Sequence, residues 1–316
     1  MDQSPVTLEW MRSFVRVAER GSFSAAAREL GLGQSTVTRH LRDLEGAVGV
    51  ALLSRTTRRV TVTEEGRRYY RHSLEILRRV EQAREEARGT GAAPSGTIRI
   101  SCTAALGVRA VSGIVFAFLD AYPGIEIDLG LTDERVDLVR EGIDLALRLG
   151  PLTDSTLKVR TLGWSRRLLV AAPAYLAAHG RPLVPEHLAT HAAVRMSNVA
   201  GSDSLPLEGP DGQRHTVRVG GRLRLDHGLA AREALIAGRG IGAAHHWLID
   251  DCLADGRLEA ILTDYALPSV PLSLLLVPER AAIGRVRLFI EFLVARIGAV
   301  PGFAAPRPSP HGPPPP

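Results

Sequence analysis

Apolar positions recur at helical spacing from the first residues of the chain. Leu8, Met11, Phe14, Val15 and Ala18 share one face of a first predicted helix. Residues 22–41 read as two short helices. Ala25, Ala26 and Ala27 keep the first slim enough for close packing, and Gly31 and Gly33 bracket Leu32 at a tight turn. Val37, Leu41 and Leu44 share the inner face of the second helix. Residues 52–55 and 60–63 predict two short strands around Thr56, Thr57, Arg58 and Arg59. A long helix follows, with Thr63 as N-cap, Glu64 and Glu65 at its positive end, and a pattern that continues to Arg88. Along it Tyr69, Ser73, Ile76, Val80, Ala83 and Ala87 alternate at spacings of four and three, widened by Tyr70, Leu74 and Leu77. Such a stripe suits pairing with a second copy of the helix, the other reading being packing on its own domain.

Residues 89–96 have the Gly, Pro and Ser content of a linker, and beyond them the pattern changes. Ile98 and Ile100 open a strand, and residues 105–121 form a helix stopped by Pro123 and Gly124. Ile125, Ile127 and Leu129 alternate as a strand, 134–141 read as a helix, and 144–149 as a strand. Further strands are expected at 167–172, 217–225, 240–244 and 272–277, with helices at 228–238, 246–254 and 283–297. Asp211-Gly212 marks a hairpin tip. The alternation predicts an α/β fold with largely parallel sheets. Residues 299–316 are proline-rich and are expected to be disordered. The domain division expected is thus 1–63, a linker helix 64–90, a linker 91–96, an α/β domain 97–298 and a tail.

The chemistry concentrates at the N-terminal end. On the second short helix Ser35, Arg39 and Arg42 lie opposite the apolar face, flanked by Thr36 and Thr38. Hydroxyls and guanidinium forks on a helix face suit base edges and phosphates, as in a DNA-binding helix-turn-helix; an ordinary solvated face is the alternative. A hairpin carrying Arg55, Arg58 and Arg59 fits the wing of such a domain, laid along the phosphate backbone. Residues 1–90 hold 16 Arg against 12 Asp and Glu, whereas the remainder is almost balanced. The basic surplus therefore lies in the segment with the DNA-reading pattern.

Composition narrows the function classes. The chain of 316 residues, 45% hydrophobic, can bury a sizeable core. It has no run of eighteen apolar residues, and no basic, apolar leader opens it, so no membrane partner and a cytoplasmic location are expected. Cys102 and Cys252 form neither a disulfide framework nor a zinc pattern; they read as core residues, with a peroxide-sensing pair as the alternative. Enzyme signatures such as a Gly-x-Ser-x-Gly elbow or a P-loop are missing from the sequence, as is a cofactor motif, so catalysis is not expected. A solute-binding or transport-associated protein would use the α/β part alone, leaving residues 1–63 unexplained.

The whole pattern resembles the LysR-type transcriptional regulators. It does so through Phe14, Gly21-Ser-Phe-Ser-Ala-Ala-Ala27, Leu30, Gln34, Ser35, Val37, Arg39, Leu41, Leu44, Glu45, Gly49, Leu53, Arg55, Thr63 and Gly66. Further matches are Phe118-Leu-Asp-Ala-Tyr-Pro123, Asp144-Leu-Ala-Leu-Arg-Leu-Gly150, Ala172-Pro-Ala-Tyr-Leu176 and Gly238-Arg-Gly-Ile-Gly242. The resemblance implies a winged helix-turn-helix in which Gln34 joins the DNA-reading face, a dimerising linker helix, and a periplasmic-binding-protein-like domain of two α/β lobes. It implies double-stranded promoter DNA, a small-molecule effector, a homodimer or homotetramer, and RNA polymerase as candidate partners. Its crossings between lobes would fall near 163–169 and 268–272. The effector cleft would be lined by Thr103, Ala104, Leu131, Thr132, Gly150, Ser197, Asn198, Asp226 and His227. Independently of the resemblance, a strand ending at Ser101 and running straight into a helix leaves N–H groups of residues 103–106 at a helix start, which favours an anion; Thr103 as a simple N-cap is the alternative. Two positions depart from the family. Ser35 replaces a familiar Pro, and Ala244-His245-His246 stands where a Pro is common. The two histidines read as a helix cap and a solvent-facing residue, or else as ligand contacts; a metal would also need His227, Asp250 or Asp251 nearby.

Overall fold

A computed structural model describes residues 6–56, 59–88, 94–139, 141–151, 157–281 and 283–304. The chain falls into two compact units, Met1–Ala93 with Asp137–Gly142, and Pro94–Val136 with Ile143–Pro316.

In the first unit α1 (Leu8–Arg20), α2 (Phe23–Leu30) and α3 (Gln34–Val48) precede a hairpin of β1 (Leu53–Thr56) and β2 (Arg59–Val62), then α4 (Glu64–Arg88). Side-chain caps set the helix starts: the Thr7 hydroxyl accepts the Trp10 N–H at 3.2 Å, and Ser22 accepts that of Ala25 at 3.3 Å. Gly31 ends α2 at φ +65°, a conformation that strains any L side chain, and so lets α3 restart at Gln34. Phe14, Val17, Ala26, Val37, Leu41, Leu44 and Leu52 are fully buried as the core. Three polar ties hold the frame. His40 Nδ1 meets Ser13 Oγ at 2.8 Å, joining α3 to α1. Glu45 Oε1 accepts the Leu52 and Leu53 N–H groups at 2.8 and 3.0 Å, fastening α3 to the hairpin. Thr63 Oγ1 accepts the Gly66 N–H at 2.9 Å and donates to the Ala51 carbonyl at 2.8 Å, capping α4.

The stripe on α4 divides in two. Ser73 and Leu74 are buried, and Tyr69, Tyr70 and Leu77 pack against the same core, with the Phe14 and Tyr69 rings 5.8 Å apart. Ile76 is 40% exposed and Ala83 is exposed, while the side chain of Ala87 lies outside the described residues. The upper part of the stripe therefore covers its own domain, a correction to the expectation of one continuous partner seam.

The second unit has two lobes. It begins with β3 (Gly96–Cys102), a short α5 (Ala104–Leu106), a π-helical turn at Gly107–Val111 and α6 (Ser112–Ala121). Then come β4 (Ile125–Leu131), β5 (Leu145–Leu149), β6 (Lys158–Ser165), β7 (Arg167–Ala171), α7 (Pro173–His179), β8 (Ala192–Met196), β9 (Ser204–Glu208), β10 (Arg214–Arg218), β11 (Gly220–Leu225) and α8 (Gly228–Ile236). The unit closes with β12 (Gly242–His245), α9 (His246–Ala254), β13 (Glu259–Ile261), β14 (Val270–Leu276), α10 (Pro278–Ala281), α11 (Gly284–Ile297) and β15 (Phe303–Ala304). The first lobe is a six-stranded sheet in the order β15-β6-β14-β5-β3-β4. Phe118 of α6 meets Phe289 and Phe292 of α11 at 5.0 and 5.2 Å over that sheet. The second lobe is built on β12-β7-β13 and the parallel pair β11-β8, linked by a bridge between Ala193 and Ile241. The chain crosses between lobes at Ser165–Arg167 and returns at Pro268–Val270, where the Pro268 carbonyl accepts Arg167 Nε and Nη2 at 3.2 and 3.0 Å.

Four expectations need correction. The sheets are mixed: β3 is parallel to β4 and β5, but β14 runs antiparallel to both β5 and β6. Residues 134–139 and 141 form turns rather than a helix. The acidic residue that would start one is turned back, Asp133 Oδ1 accepting the Ala104 N–H, and Thr132 Oγ1 holds the Glu134 N–H. The run 217–225 is broken at Val219, whose N–H is taken by the Asp203 carbonyl, so its ends join different strand pairs. Residues 303 and 304 are a strand on β6, so the ordered chain extends into the expected tail; residues 305–316 lie outside the described residues. Ala104–Ala121 is long and apolar enough to cross a bilayer, with mean hydropathy 1.6, yet Leu106, Val111 and Phe118 are fully buried in the domain core.

Candidate nucleic-acid interface and effector cleft

The α3 helix carries two unlike faces. Val37, His40, Leu41 and Leu44 are buried, whereas Gln34, Ser35, Arg39 and Arg42 are exposed and Thr36 and Thr38 half-buried. Gly33 occupies the N-cap position without a side-chain cap, so the first N–H groups of the helix sit beside Gln34 and Ser35. Arg42 Nη2 pairs with Asp43 at 3.1 Å and is partly neutralised. Arg55 and Arg59 belong to β1 and β2, paired with Val60 and Thr56; their side chains, and Arg58 entirely, lie outside the described residues.

The nine residues expected around the effector form two groups, one on each lobe. In the first lobe the Thr103 N–H bonds the Leu147 carbonyl at 3.2 Å, and Thr132 N–H bonds the Cys102 carbonyl at 2.9 Å. Leu131 lies over Gly107, where an added Cβ would stand 2.2 Å from its Cδ2. Gly150 turns at φ +101° and donates to the Pro271 carbonyl at 3.0 Å. In the second lobe Ser197 N–H bonds the Leu225 carbonyl at 2.7 Å, Asn198 Nδ2 donates to the Asp226 carbonyl at 2.7 Å, and His227 precedes α8. The lobes approach each other beside these groups, where Gly228, next to His227, faces Ala105, next to Ala104: a Cβ added at Gly228 would lie 3.0 Å from that of Ala105.

Electrostatics alter the expected chemistry. The Ala104 N–H at the helix start is already bonded at 3.0 Å to Asp133, so a carboxylate of the chain itself holds one of the N–H groups assigned to an anion. Arg148, overlooked in the sequence, donates to Ser101 Oγ at 2.7 Å between β5 and β3. An ion cluster spans the lobes: Arg109 reaches Asp250 and Asp251 at 3.3 and 2.6 Å, and Asp251 also holds Arg232 at 2.6 Å and Arg257 at 3.1 Å. Burial alone would raise the Asp251 carboxyl, but Arg109, Arg232 and Arg257 together hold it below the usual range.

His245 is bonded inside the fold and does not cap α9 with its side chain, a correction to the expected helix cap, and both cysteines are core residues. His245 Nδ1 meets Ser165 Oγ at 2.8 Å, and that hydroxyl oxygen accepts Trp247 Nε1–H at 2.9 Å. Burial, reinforced by Arg167, lowers His245 to about 4, so its ring is neutral near pH 7. Cys102 and Cys252 are fully buried; burial pushes the Cys102 thiol to about 12 and also raises Cys252, which disfavours the reactive thiolate. Among the described residues, no group of three His, Cys, Asp or Glu side chains assembles to hold a metal.

Comparison with known proteins gives this architecture its family. Residues 8–67 match the bacterial regulatory helix-turn-helix protein, lysR family, and residues 91–298 match the LysR substrate binding domain. The transcriptional regulator DmlR of Escherichia coli is 34% identical over 90% of this chain and 92% of its own. CrgA of Neisseria meningitidis is 31% identical over 92% of this chain and 97% of its own. The solved structure of CrgA superposes with a TM-score of 0.60 at 30% identity, covering 92% of this chain and 98% of that one. The chain belongs to the LysR family of transcriptional regulators, with a DNA-binding helix-turn-helix domain and an effector-binding α/β domain.

Proposed function

We propose that the outer face of α3 reads base edges of double-stranded promoter DNA through Gln34, Ser35, Thr36, Thr38, Arg39 and Arg42. Arg55, Arg58 and Arg59 of the hairpin follow the phosphates. The observation that carries this reading is the division of α3 into a fully buried apolar face and an outer face of hydroxyls and guanidinium groups. A small-molecule effector binds between the lobes, against Thr103, Ala104, Leu131, Thr132, Gly150, Ser197, Asn198, Asp226 and His227. It shifts DNA binding only as far as its affinities for two lobe arrangements differ. The lower part of α4, where Ile76 and Ala83 are exposed, pairs subunits into a dimer or tetramer acting in the cytoplasm, with RNA polymerase as the transcriptional partner. Residues 1–63 read DNA, 64–90 join subunits and 97–298 sense the effector. The protein has no catalytic role in this reading.

Selection of random duplexes by the full chain tests the core of it. The recovered sequences should converge on an inverted repeat with half-sites about one helical turn, or a multiple of it, apart. Recovery of unrelated sequences at every salt concentration would overturn it.

A further inference from the structure

Arg195 of β8 and Arg224 of β11 are register partners in a parallel pair, so their side chains leave the same face of the second lobe's sheet. The pairing slips between Gly220 and Leu223, and Gly221 approaches β8 so closely that a Cβ there would stand 2.1 Å from the Ala193 carbonyl oxygen. At this irregularity the Gly221 carbonyl accepts Arg195 Nη2 at 2.7 Å, which pins one edge of the guanidinium. Arg195 Nε is buried and has no hydrogen-bond partner among the described residues. A cationic N–H left in that state is destabilising until an acceptor reaches the group.

The loop after β8 walls an open pocket of about 470 Å³ beside the two arginines, with Ser197, Asn198, Ser202 and Asp203 in its lining. That volume lies in the range of small-molecule sites. Two guanidinium groups face one carboxylate, so the lining is net cationic. All of it comes from the second lobe, and none of the first-lobe cleft residues contributes. The first lobe, by contrast, has already given the Ala104 N–H of its helix start to Asp133.

We infer that the Arg195–Arg224 pocket binds a small oxyanion, the carboxylate or phosphate group of a metabolite, on the second lobe alone. The guanidinium forks supply charge-assisted donors, and Ser197 and Ser202 supply hydroxyls at the rim. The pocket shares Ser197 and Asn198 with the proposed effector cleft, so a ligand that filled both would carry its charged end here, while the arginine pair itself lies outside that cleft's residues.

Calorimetric titration of the full chain with succinate and with inorganic phosphate, at matched ionic strength in chloride, tests the inference. One of the two should bind saturably at one site per chain, and the tighter one identifies the oxyanion. Arg195→Gln and Arg224→Gln should each weaken it about tenfold, the loss expected of one charge-assisted contact. Asp203→Asn removes the carboxylate from the lining and should strengthen binding, while Thr103→Val should leave it unchanged. If Arg195→Gln unfolds the lobe, the exposed Arg224 and Asp203 variants, which move affinity in opposite directions, still decide. Binding no stronger than that of chloride, or an Arg224→Gln chain that binds like the original, would overturn the assignment. Loss of binding in Thr103→Val with the arginine variants unaffected would move the oxyanion to the first lobe.

Discussion

The outer face of α3 and the floor of the interlobe cleft both offer hydrogen-bonding groups, yet those groups are in opposite states. On α3 the Gln34, Ser35 and Arg39 side chains stand in solvent on a helix whose other face is locked in the core. In the cleft the N–H groups of Thr103, Ala104, Thr132 and Ser197 are already bonded to Leu147, Asp133, Cys102 and Leu225. A surface meant for a large polyanion can wait with its donors free, because water satisfies them. A cleft between two lobes must satisfy its own backbone first. What it offers a ligand is therefore set by the side chains that the fold leaves over.

The sharpest way to break this contrast is to remove the support of the α3 face. Phe14→Ala takes out a fully buried ring that packs on Tyr69 and Tyr70, and should cost about 3–5 kcal/mol of the DNA-binding domain's stability. Denaturant unfolding followed by far-UV dichroism measures it; a loss under 1 kcal/mol, on the order of a surface substitution, would mean the face does not depend on that core. On the cleft side the crossing at Ser165 carries a titrating group. Folded His245 keeps its proton off down to about pH 4, whereas an unfolded histidine binds one below its ordinary 6.5. Stability should therefore fall as pH drops through that window and level off below it, by about 1–3 kcal/mol given the surface the residue retains. A His245→Gln chain with the same slope would assign the slope to other groups.

Arg39→Ala should lose about 1–3 kcal/mol of discrimination at one or two base positions, whereas Arg58→Ala should weaken all sequences alike and flatten the salt dependence. Operator titrations at several salt concentrations separate the two, and an Arg39 variant with unchanged base preference would remove it from the reading face. The smallest effect belongs to Asp133→Ala. It removes the acceptor of the Ala104 N–H and should cost about 0.5–1 kcal/mol in thermal unfolding. No measurable cost would show that the helix start is satisfied without it.

Much of the DNA-binding domain was legible because its information is local. Gly31 and Thr63 announce helix limits through their own chemistry, and Val37, Leu41 and Leu44 announce a buried face by spacing. His40 was not legible: it occupies an ordinary helical position, and only the approach of Ser13 makes it structural. The cleft residues came from family resemblance, and the structure brings Thr103 beside Leu147 and Asn198 beside Asp226. Asp133, Arg148 and Arg195 escaped notice because nothing near them in sequence shows their partners. Ala104, Ser101 and Gly221 reach them only after the strands pair. The missed strand β6 and the absent helix at 134–141 have the same origin: a mixed sheet and a side-chain-held turn override short-range periodicity.

The strand β15 lies past residue 298, where the match to the family's substrate binding domain ends, and it changes how this protein should be handled at the bench. The Gly302 carbonyl accepts the Arg166 N–H at 2.8 Å, Phe303 pairs with Ser165 and stacks on Trp247, and both Ser165 and Arg166 sit at the crossing between lobes. A fragment trimmed at the family boundary would strip an edge from β6 and uncover the Trp247 ring. A purification tag or reporter fused after residue 304 would instead pull on the interlobe crossing itself. Labels meant to be silent belong elsewhere on this chain, whereas a probe meant to feel the lobes move belongs at Ala304.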